Sequence, residues 1–192
     1  REAAKRAIAL DPNLPEAHAA AGLVLFRLDW DWASAEQALQ AACDLNPGSA
    51  TVHHRLALLM TALGRLDEAL RSIEKARELD PLSLIIGTAV GRINHFARQY
   101  DAAITQCRRT LEIDPAFVPA HFDLGMAYAE KGRVPEAIAE FARVMQADLL
   151  GIATRGRTGL AHALMGSVAE QVVRHSPCPV LVIRSDPASE EK

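Results

Sequence analysis

The sequence predicts a mainly α protein, in which a solenoid of helical hairpins is followed by a small βαβ unit. Two observations lead to this prediction. Four dipeptides have the form Asp-Pro or Asn-Pro, and their prolines, Pro12, Pro47, Pro81 and Pro115, lie 35, 34 and 34 residues apart. A regular period of this length is typical of stacked helical repeats. After residue 147 the period is lost, and apolar runs on either side of a loop and a helical pattern indicate strand, loop, helix and strand.

Composition narrows the class of protein. The 192 residues are 49% hydrophobic, include 35 alanines and carry a net charge of -3, which favours helix and argues against a nucleic-acid partner. No apolar run approaches the roughly 18 residues of a membrane span, and no signal peptide is recognisable, so we expect a cytoplasmic protein that does not bind membranes. Cys43, Cys107 and Cys178 are few and far apart, which favours reduced thiols. Because Arg1 lies inside a predicted helix and is not Met, we expect the chain to be part of a longer protein.

Residues 1–10 predict half a repeat, and four helical hairpins follow. Proline ends the second helix of a hairpin because it has no amide hydrogen to donate and disfavours helix in the residue before it. Small residues recur where two helices must approach closely, in one slot at Ala35, Ala69, Ala103 and Ala137 and in another at Ala7, Ala42, Ala76 and Thr110. Glycines are expected at helix crossings, Gly22, Gly91 and Gly125, and at the ends of first helices, Gly64 and Gly132.

This pattern resembles the tetratricopeptide repeat (TPR) family over residues 1 to about 147, as half a repeat followed by four full ones. The resemblance implies a solenoid whose concave groove binds a peptide or a partner protein. The segment from Arg27 to Trp32 carries a one-residue insertion and is similar to repeat arrays in bacterial regulators. A scaffold in bacterial signalling or stress response is therefore the function that the resemblance favours.

The groove of the predicted solenoid is lined by outward positions of the first helices. The candidate partner residues are His54, Arg55, Arg92, His95, Phe122 and Asp123, together with Ala19, Leu58 and Met126. Co-chaperone members of the family bind the C-terminal carboxylate of a peptide with Lys and Asn residues at fixed groove positions. This chain has Ala19, Leu23 and His54 at those positions, so that carboxylate site is not expected. Arg55 and Arg92 are suited to an acidic or phosphorylated peptide, because a guanidinium group offers a two-pronged donor. The alternative, that they only solvate the groove, stays open.

The histidines and the other candidate catalytic groups predict packing rather than chemistry. His18, His53 and His121 occupy the same place in three repeats, which indicates a packing position. No zinc or calcium motif is present, so no metal is expected. Ser167, His162 and His175 are the remaining candidates for hydrolysis, but nothing places a base beside the serine, so no catalytic residue and no enzyme activity is predicted.

Residues 148–184 predict the βαβ unit. An apolar run ends at Thr154, Arg155 to Gly159 forms a loop, and a strand extends from Pro179 to Ile183. Between the loop and the second strand, apolar residues four apart predict a helix, at Leu160, Leu164, Val168 and Val172. Such continuous apolar strands are typical of parallel sheets.

The unit resembles the C-terminal part of the universal stress protein family, which has a Rossmann-like fold and ATP-binding members. The resemblance rests on Gly156, nine residues, Gly166-Ser167, and the following Val168 and Pro179, with Ala153 at a position where the family has glycine. It implies that Gly156, Gly166 and Ser167 contact the triphosphate of ATP, with Ala153, Arg155 and Val168 close by. Because the first three strands of that fold are missing, a dimer mate or another partner would have to complete the site.

The C-terminal unit therefore allows several roles. A nucleotide-responsive scaffold that binds ATP is the alternative to a simple interaction scaffold. The unit is also suited to capping the solenoid near Ile138 and Phe141, because the last repeat has no polar capping helix. In the stress-protein family the last strand mediates dimers, which implies a homodimer through Val180 to Ile183. Residues 185–192 are expected to be a disordered tail.

Overall fold

The computed structural model describes residues 2–155 and 166–185. These residues form the helices of the repeat array, one helix of the C-terminal unit and one small sheet. The helices are α1 (Glu2–Leu10), α2 (Pro15–Val24), α3 (Trp32–Leu45), α4 (Ala50–Ala62), α5 (Leu66–Leu79), α6 (Leu84–Phe96), α7 (Tyr100–Ile113), α8 (Val118–Glu130), α9 (Val134–Val144) and α10 (Ser167–His175). The strands are β1 (Leu150–Arg155) and β2 (Val180–Ser185). Within the described residues, no helix has the length and hydrophobicity needed to cross a membrane.

The helices α1 to α9 form half a repeat and four hairpins, as predicted. Each hairpin packs its own two helices together, α2 on α3, α4 on α5, α6 on α7 and α8 on α9. The first helices α2, α4, α6 and α8 also contact one another in sequence order, so they form one inner row. This row is the concave side of a solenoid, and the second helices form the outer row.

The predicted small-residue slots lie in the core. Ala35, Ala69 and Ala103 of one slot are fully buried, as are Ala42 and Ala76 of the other. Ala7 differs, because it is only half-buried at the N-terminal end of the array, where no described helix precedes it. The small residues that recur once per repeat in the sequence therefore lie where helices pack against each other.

Glycines allow the two helices of a hairpin to approach closely, as predicted. A Cβ atom added at Gly22 would lie 2.6 Å from Cγ of Leu39, and one added at Gly91 would lie 2.6 Å from Sγ of Cys107. At Gly125 the same test gives 3.0 Å to Cε1 of Phe141. A side chain at Gly22 or Gly91 would therefore force its neighbour to shift, whereas at Gly125 the Phe141 ring would have to give by a few tenths of an ångström.

The turn between the two helices of each hairpin uses a residue in the left-handed region. These residues recur every 34 positions, at Trp30 (φ 57°), Gly64 (φ 74°), Arg98 (φ 59°) and Gly132 (φ 70°). The inserted residue of the first repeat is absorbed by a π-helical segment, Leu25–Asp29, between α2 and the turn. The first turn therefore keeps the same register as the others.

The C-terminal unit is a two-stranded parallel sheet joined by α10, as predicted. Leu150 pairs with Val180 and Ile152 with Val182, and these four side chains are half-buried. The opposite face of the sheet carries Leu181 and Ile183, each 52% exposed. Among the described residues, this face of the sheet has no covering element.

Helix α10 packs on α9, so the C-terminal unit contacts the last helix of the array. Its buried residues are Ala169 and Val172, whereas Val168 is 47% exposed. The sequence pattern placed Val168 on the apolar face, which is wrong because the buried face of α10 runs through Ala169 and Val172. The predicted start of this helix at Leu160 and Leu164 lies outside the described residues.

Of two further expectations about the C-terminus, one is not tested and one is partly wrong. Phe141, expected beside the cap, contacts Gly125 and Phe122 of α8, and its contact with the C-terminal unit stays a prediction. Ser185 belongs to β2 rather than to a disordered tail, and residues 186–192 lie outside the described part of the chain.

Candidate functional site

The three repeated histidines are structural, as predicted. In each case Nε2 lies within hydrogen-bond distance of the carbonyl oxygen of the proline six residues earlier: 2.8 Å from His18 to Pro12, 2.9 Å from His53 to Pro47 and 2.9 Å from His121 to Pro115. Because a carbonyl oxygen can only accept, each Nε2 must carry a hydrogen. The histidine therefore joins the start of a first helix to the loop that precedes it.

His121 makes a second contact through the other ring nitrogen. Its Nδ1 lies 2.5 Å from Oε2 of Glu140, which comes from α9, and Oε1 of Glu140 accepts a hydrogen bond from Arg143 at 3.1 Å. Both ring nitrogens of His121 are therefore occupied, and the histidine is not available as a catalytic base or a metal ligand.

The predicted groove residues lie on the inner row of helices with unequal exposure. His54 and Arg55 on α4 and His95 on α6 are half-buried, whereas Phe122 on α8 is 46% exposed. Ala19, expected to line the groove, is buried in a core cluster with Ala42, Cys43 and Val52 instead. The concave face thus presents polar groups on α4 and α6 and an exposed aromatic ring on α8.

Arg92 and Asp123 form an ion pair between neighbouring repeats. Nε of Arg92 on α6 donates to both carboxylate oxygens of Asp123 on α8, at 3.2 and 3.1 Å. The Arg92 side chain is 45% exposed and that of Asp123 only 6%. Burial raises the pKa of Asp123, and the hydrogen bond from Arg92 opposes that shift. The buried carboxylate therefore holds Arg92, whose guanidinium group remains partly exposed.

The pKa of His54 is lowered by its surroundings. Burial lowers the pKa of His54, and the positive charges of Arg55, Arg27 and Arg92 lower it further. Arg27 lies in the π-helical segment of the first repeat and was not among the predicted groove residues. The one-residue insertion could have pointed to Arg27. Because the insertion shifts the end of the first helix by one position, Arg27 does not align with the groove residues of the other repeats.

His95 lies in an aromatic environment farther along the groove. Its ring centroid is 5.8 Å from that of Phe96 and 5.6 Å from that of Tyr100. Nδ1 of His95 is buried and has no hydrogen-bond partner among the described residues. The rings of Phe122 and Phe141 approach to 6.0 Å on the next repeat, so apolar surface flanks the charged part of the groove.

The residues of the predicted nucleotide loop are only partly described. Gly166 is the N-cap of α10, Ser167 is its first residue, and both are exposed. Ala153 is an exposed residue of β1, and Arg155 ends that strand. In a βαβ unit the carboxyl end of the first strand and the start of the helix face the same edge. Gly156 lies outside the described residues.

Two of the three cysteines are buried. Burial raises the pKa of Cys107 to about 12 and also raises that of Cys43, so neither thiol is activated. In the part of the chain that the structure describes, no group of three or more His, Cys, Asp or Glu side chains is placed to hold a metal ion.

Comparison with family models identifies the array. The tetratricopeptide repeat model matches residues 30–86 and 97–149, together more than half of the chain. The chain belongs to the tetratricopeptide repeat family. The universal stress protein family model matches residues 127–184. The two family matches therefore overlap over residues 127–149, which include α9. No match is found among curated proteins.

Solved structures confirm the TPR fold. A crystal structure of MamA is 23% identical, with a TM-score of 0.65, over 76% of this chain and 84% of that chain. YrrB, described as a TPR protein with an unusual peptide-binding site, is 21% identical with a TM-score of 0.63, over 76% and 75%. PilW, a type IV pilus biogenesis factor, is 22% identical with a TM-score of 0.69, over 74% and 66%. At these identities the likeness establishes the fold alone.

Proposed function

We propose that this chain is an interaction scaffold whose TPR array binds a peptide or a segment of a partner protein on its concave face. The observation that carries the proposal is the inner row of α2, α4, α6 and α8, which presents charged groups beside the exposed ring of Phe122. Exposed aromatic and arginine side chains are typical of binding hot spots. A binding role rather than a catalytic one also agrees with the protected thiols and the occupied ring of His121.

The test is a peptide selected from a displayed random library against the whole chain, with its Kd measured by fluorescence anisotropy. Phe122→Ser is expected to weaken binding by about tenfold or more, because an aromatic hot spot contributes on the order of 2 kcal/mol. Ile113→Ser is the matched control, since Ile113 is 51% exposed but lies at the end of α7 in the outer row. Equal effects of the two substitutions would contradict the proposal, as would amide-exchange protection confined to the outer helices.

A second candidate function is ATP binding by the C-terminal unit. It is supported by the universal stress protein match and by the position of Gly166 and Ser167 at the start of α10, where free amides favour a phosphate group. Calorimetric titration with ATP is expected to show binding, and Gly166→Asp is expected to abolish it. Gly48→Asp is the control, because Gly48 lies in an exposed loop, and it should leave ATP binding unchanged. Absence of heat at millimolar ATP would exclude this candidate.

We also propose that the C-terminal unit joins two copies of the chain through β2. In the described residues β2 has β1 as its single strand neighbour, and Leu181 and Ile183 are exposed on the open face of the sheet. Light scattering during gel filtration is expected to give the mass of a dimer for the natural chain and of a monomer for Leu181→Lys with Ile183→Lys. A monomeric natural chain would end this proposal without affecting the groove.

The cellular setting that we propose is bacterial signalling or stress response in the cytoplasm. Its support is the stress-protein match together with the segment from Arg27 to Trp32. Fractionation of the source cells is expected to recover the chain with soluble cytoplasmic proteins, at a level that changes during starvation. Recovery with the membrane fraction would contradict the setting.

A further inference from the structure

The first hairpin differs from the other three at the corner where its two helices meet. Its left-handed residue is Trp30, with φ 57° and ψ 20°, whereas the equivalent residues of the other hairpins are Gly64, Arg98 and Gly132. A bulky aromatic side chain is unusual in this backbone region, because its Cβ crowds the following carbonyl group. The π-helical segment Leu25–Asp29 leads directly into this residue. A strained residue next to a π-helical turn is more typical of a functional position than of one selected for stability.

Two indole rings lie side by side at this corner. The ring centroids of Trp30 and Trp32 are 6.4 Å apart, with an angle of 40° between the ring planes. Trp30 is 73% exposed and Trp32 is 37% exposed, and Leu28 of the same segment is 71% exposed. Tryptophan is enriched among the residues that dominate binding interfaces. The corner therefore presents a pair of aromatic rings that the packing of the array does not use.

The first hairpin is also the acidic part of the array. Residues 28–54 contain four acidic residues, Asp29, Asp31, Glu36 and Asp44, and no Lys or Arg. The carboxylate of Asp31 accepts a hydrogen bond from the backbone amide of Ser34 at 3.1 Å and so caps α3. Hydrogen bonds from Ser34 lower the pKa of Asp31, so this carboxylate is ionised at neutral pH.

The charge at the start of the second helix is reversed relative to two other hairpins. The residue before that helix is Asp31 in the first hairpin, but Arg65 in the second and Arg133 in the fourth. Within the described residues, Asp31 and Asp44 form no ion pair, whereas Glu36 pairs with Arg65. An open surface pocket of about 580 Å³ continues along α3, lined by Ala33, Glu36, Gln37, Gln40, Ala41 and Asp44. The outer side of this hairpin therefore combines aromatic rings with negative charge.

Another aromatic ring of the array shows which chemistry suits such a surface. Two guanidinium groups lie over the ring of Tyr128, with Cζ of Arg133 at 4.5 Å and Cζ of Arg108 at 5.7 Å from the ring centroid. A cation is attracted to the electron-rich face of an aromatic ring, and tryptophan attracts it most strongly. In the part of the chain that the structure describes, no arginine or lysine lies over the ring of Trp30 or Trp32. These indole faces can therefore accept a cation that a partner supplies.

We propose that Trp30 and Trp32, with the intervening Asp31, form a docking site for a basic segment of a partner protein. A lysine or arginine side chain of that segment packs on the indole rings while its charge faces the Asp31 carboxylate. Further basic side chains lie along the acidic outer face of α3. The negative charge of this face repels nucleic acids and other polyanions. The site uses the turn and the outer helix of the first hairpin, so it is distinct from the groove of the inner row and goes beyond the proposed groove function.

The natural tryptophans make this site directly observable. Trp30 and Trp32 are the two tryptophans of the chain, so tryptophan fluorescence reports on this corner alone. The full chain is titrated with a 12-residue peptide that alternates Lys and Ala, and in parallel with a peptide that has Gln in place of each Lys. The Lys peptide is expected to change the tryptophan emission and to bind at least about tenfold more tightly than the Gln peptide. Its affinity should decrease as the salt concentration rises.

Two substitutions remove the ring and the charge separately. Trp30→Gly is expected to weaken binding of the Lys peptide by about tenfold or more. The variant should be no less stable than the natural chain, because glycine adopts the left-handed backbone without strain. Asp31→Asn keeps the helix cap, since asparagine caps as well as aspartate, and is expected to weaken binding by about threefold. Anisotropy of a fluorescein-labelled Lys peptide measures the affinities, and urea unfolding measures the stabilities.

Matched controls lie in the third repeat. Phe96→Ser removes an aromatic ring that is 54% exposed at the end of α6. Asp114→Asn neutralises an aspartate that accepts a hydrogen bond from the backbone amide of Ala116 at 2.9 Å, as Asp31 does from Ser34. Both controls are expected to change the affinity for the Lys peptide by less than about twofold, because distant sites act independently.

The outcomes separate this docking site from the groove. No binding of the Lys peptide, equal binding of the Lys and Gln peptides, or equal losses in the control variants would overturn the docking site. Binding that leaves the tryptophan emission unchanged and persists in Trp30→Gly would also overturn it, because the peptide then lies elsewhere. Phe122→Ser is expected to leave binding of the Lys peptide unchanged. If the library-selected peptide loses affinity in Phe122→Ser but the Lys peptide does not bind, the groove proposal stands and the docking site is wrong.

Discussion

The TPR array and the C-terminal βαβ unit bury apolar surface in different ways. In the array each internal helix has neighbours on both sides, and large side chains such as Leu39, Leu59 and Ile93 are almost fully enclosed. In the C-terminal unit, Ala169 and Val172 are buried but Leu181 and Ile183 are half exposed. A repeat array grows by adding neighbours, and each internal repeat is stabilised by the repeats on its two sides. A fragment of a layered α/β fold lacks the elements that would cover its second face, and it depends on what it packs against.

Helix α9 is the element that joins the two regions. It lies in both family matches, it packs on α8 inside the array, and it contacts α10 on its other side. The next repeat of a longer array would place a first helix on α9, and α10 fills that role here. The comparison therefore predicts that the unit and the last repeat stabilise each other.

The largest expected effect comes from a charge on the buried face of α10, the helix that packs on α9. Val172→Asp should destabilise the chain by about 3 kcal/mol or more, because Val172 is 2% exposed and a buried unpaired carboxylate is costly. Thermal unfolding and amide exchange over α9 measure the effect. Val173→Asp is the control, since Val173 is 42% exposed, and it should stay within about 0.5 kcal/mol. Unchanged exchange in α9 would mean that the array ends there without help from α10.

The same substitution should act with opposite sign in the two regions. Gly91→Ala is expected to destabilise by about 1–3 kcal/mol, because its Cβ would lie 2.6 Å from Sγ of Cys107. Gly151→Ala in β1 should stabilise by about 0.5–1 kcal/mol, since nothing lies within 4 Å and glycine weakens a strand. The midpoints of urea unfolding measure the stability change in both variants. A change of the same sign in the two variants would contradict this difference between the array and the C-terminal unit.

A smaller effect tests the repeated turn of the array. Arg98 occupies the left-handed position that Gly64 and Gly132 occupy in two other repeats. Arg98→Gly should stabilise by about 0.5–1 kcal/mol, because a side chain is strained in that region and glycine is not. Gly64→Ala should destabilise by a similar amount. Chemical denaturation measures the free energy of unfolding of the two variants. A loss of stability in Arg98→Gly would show that the contacts of the Arg98 side chain stabilise the fold more than its left-handed backbone destabilises it.

The smallest effect is a pH dependence that originates in the array. Folding lowers the pKa of His54 from its ordinary value of 6.5, so the unfolded chain binds this proton more tightly. The free energy of unfolding should therefore decrease as pH falls through about 6.5 toward the lower pKa of the folded state. His54→Gln should flatten this decrease while matching the natural chain near pH 8. Urea unfolding at pH 8, 6.5 and 5.5 checks it, and parallel curves for both proteins would contradict it.

Prediction from the sequence worked best where contacts are local and repeated. The prolines and the small-residue slots recur in every repeat and the crossing glycines in three of the four, so one rule accounts for α2 to α9. The candidate groove was predicted less completely. Arg27 was missed because an insertion shifts it out of the repeat register, and the burial of Ala19 and Asp123 was missed because it depends on how tightly neighbouring helices stack.

By itself the sequence determined the helical repeat, the structural role of the three repeated histidines and the change of fold after residue 147. It could do so because periodic contacts leave periodic residues. The tertiary structure alone decided that Asp123 holds Arg92 and that α10 rests on α9. Each of these contacts joins two different helices, and the distance between those helices is set by packing across the fold rather than by any local pattern.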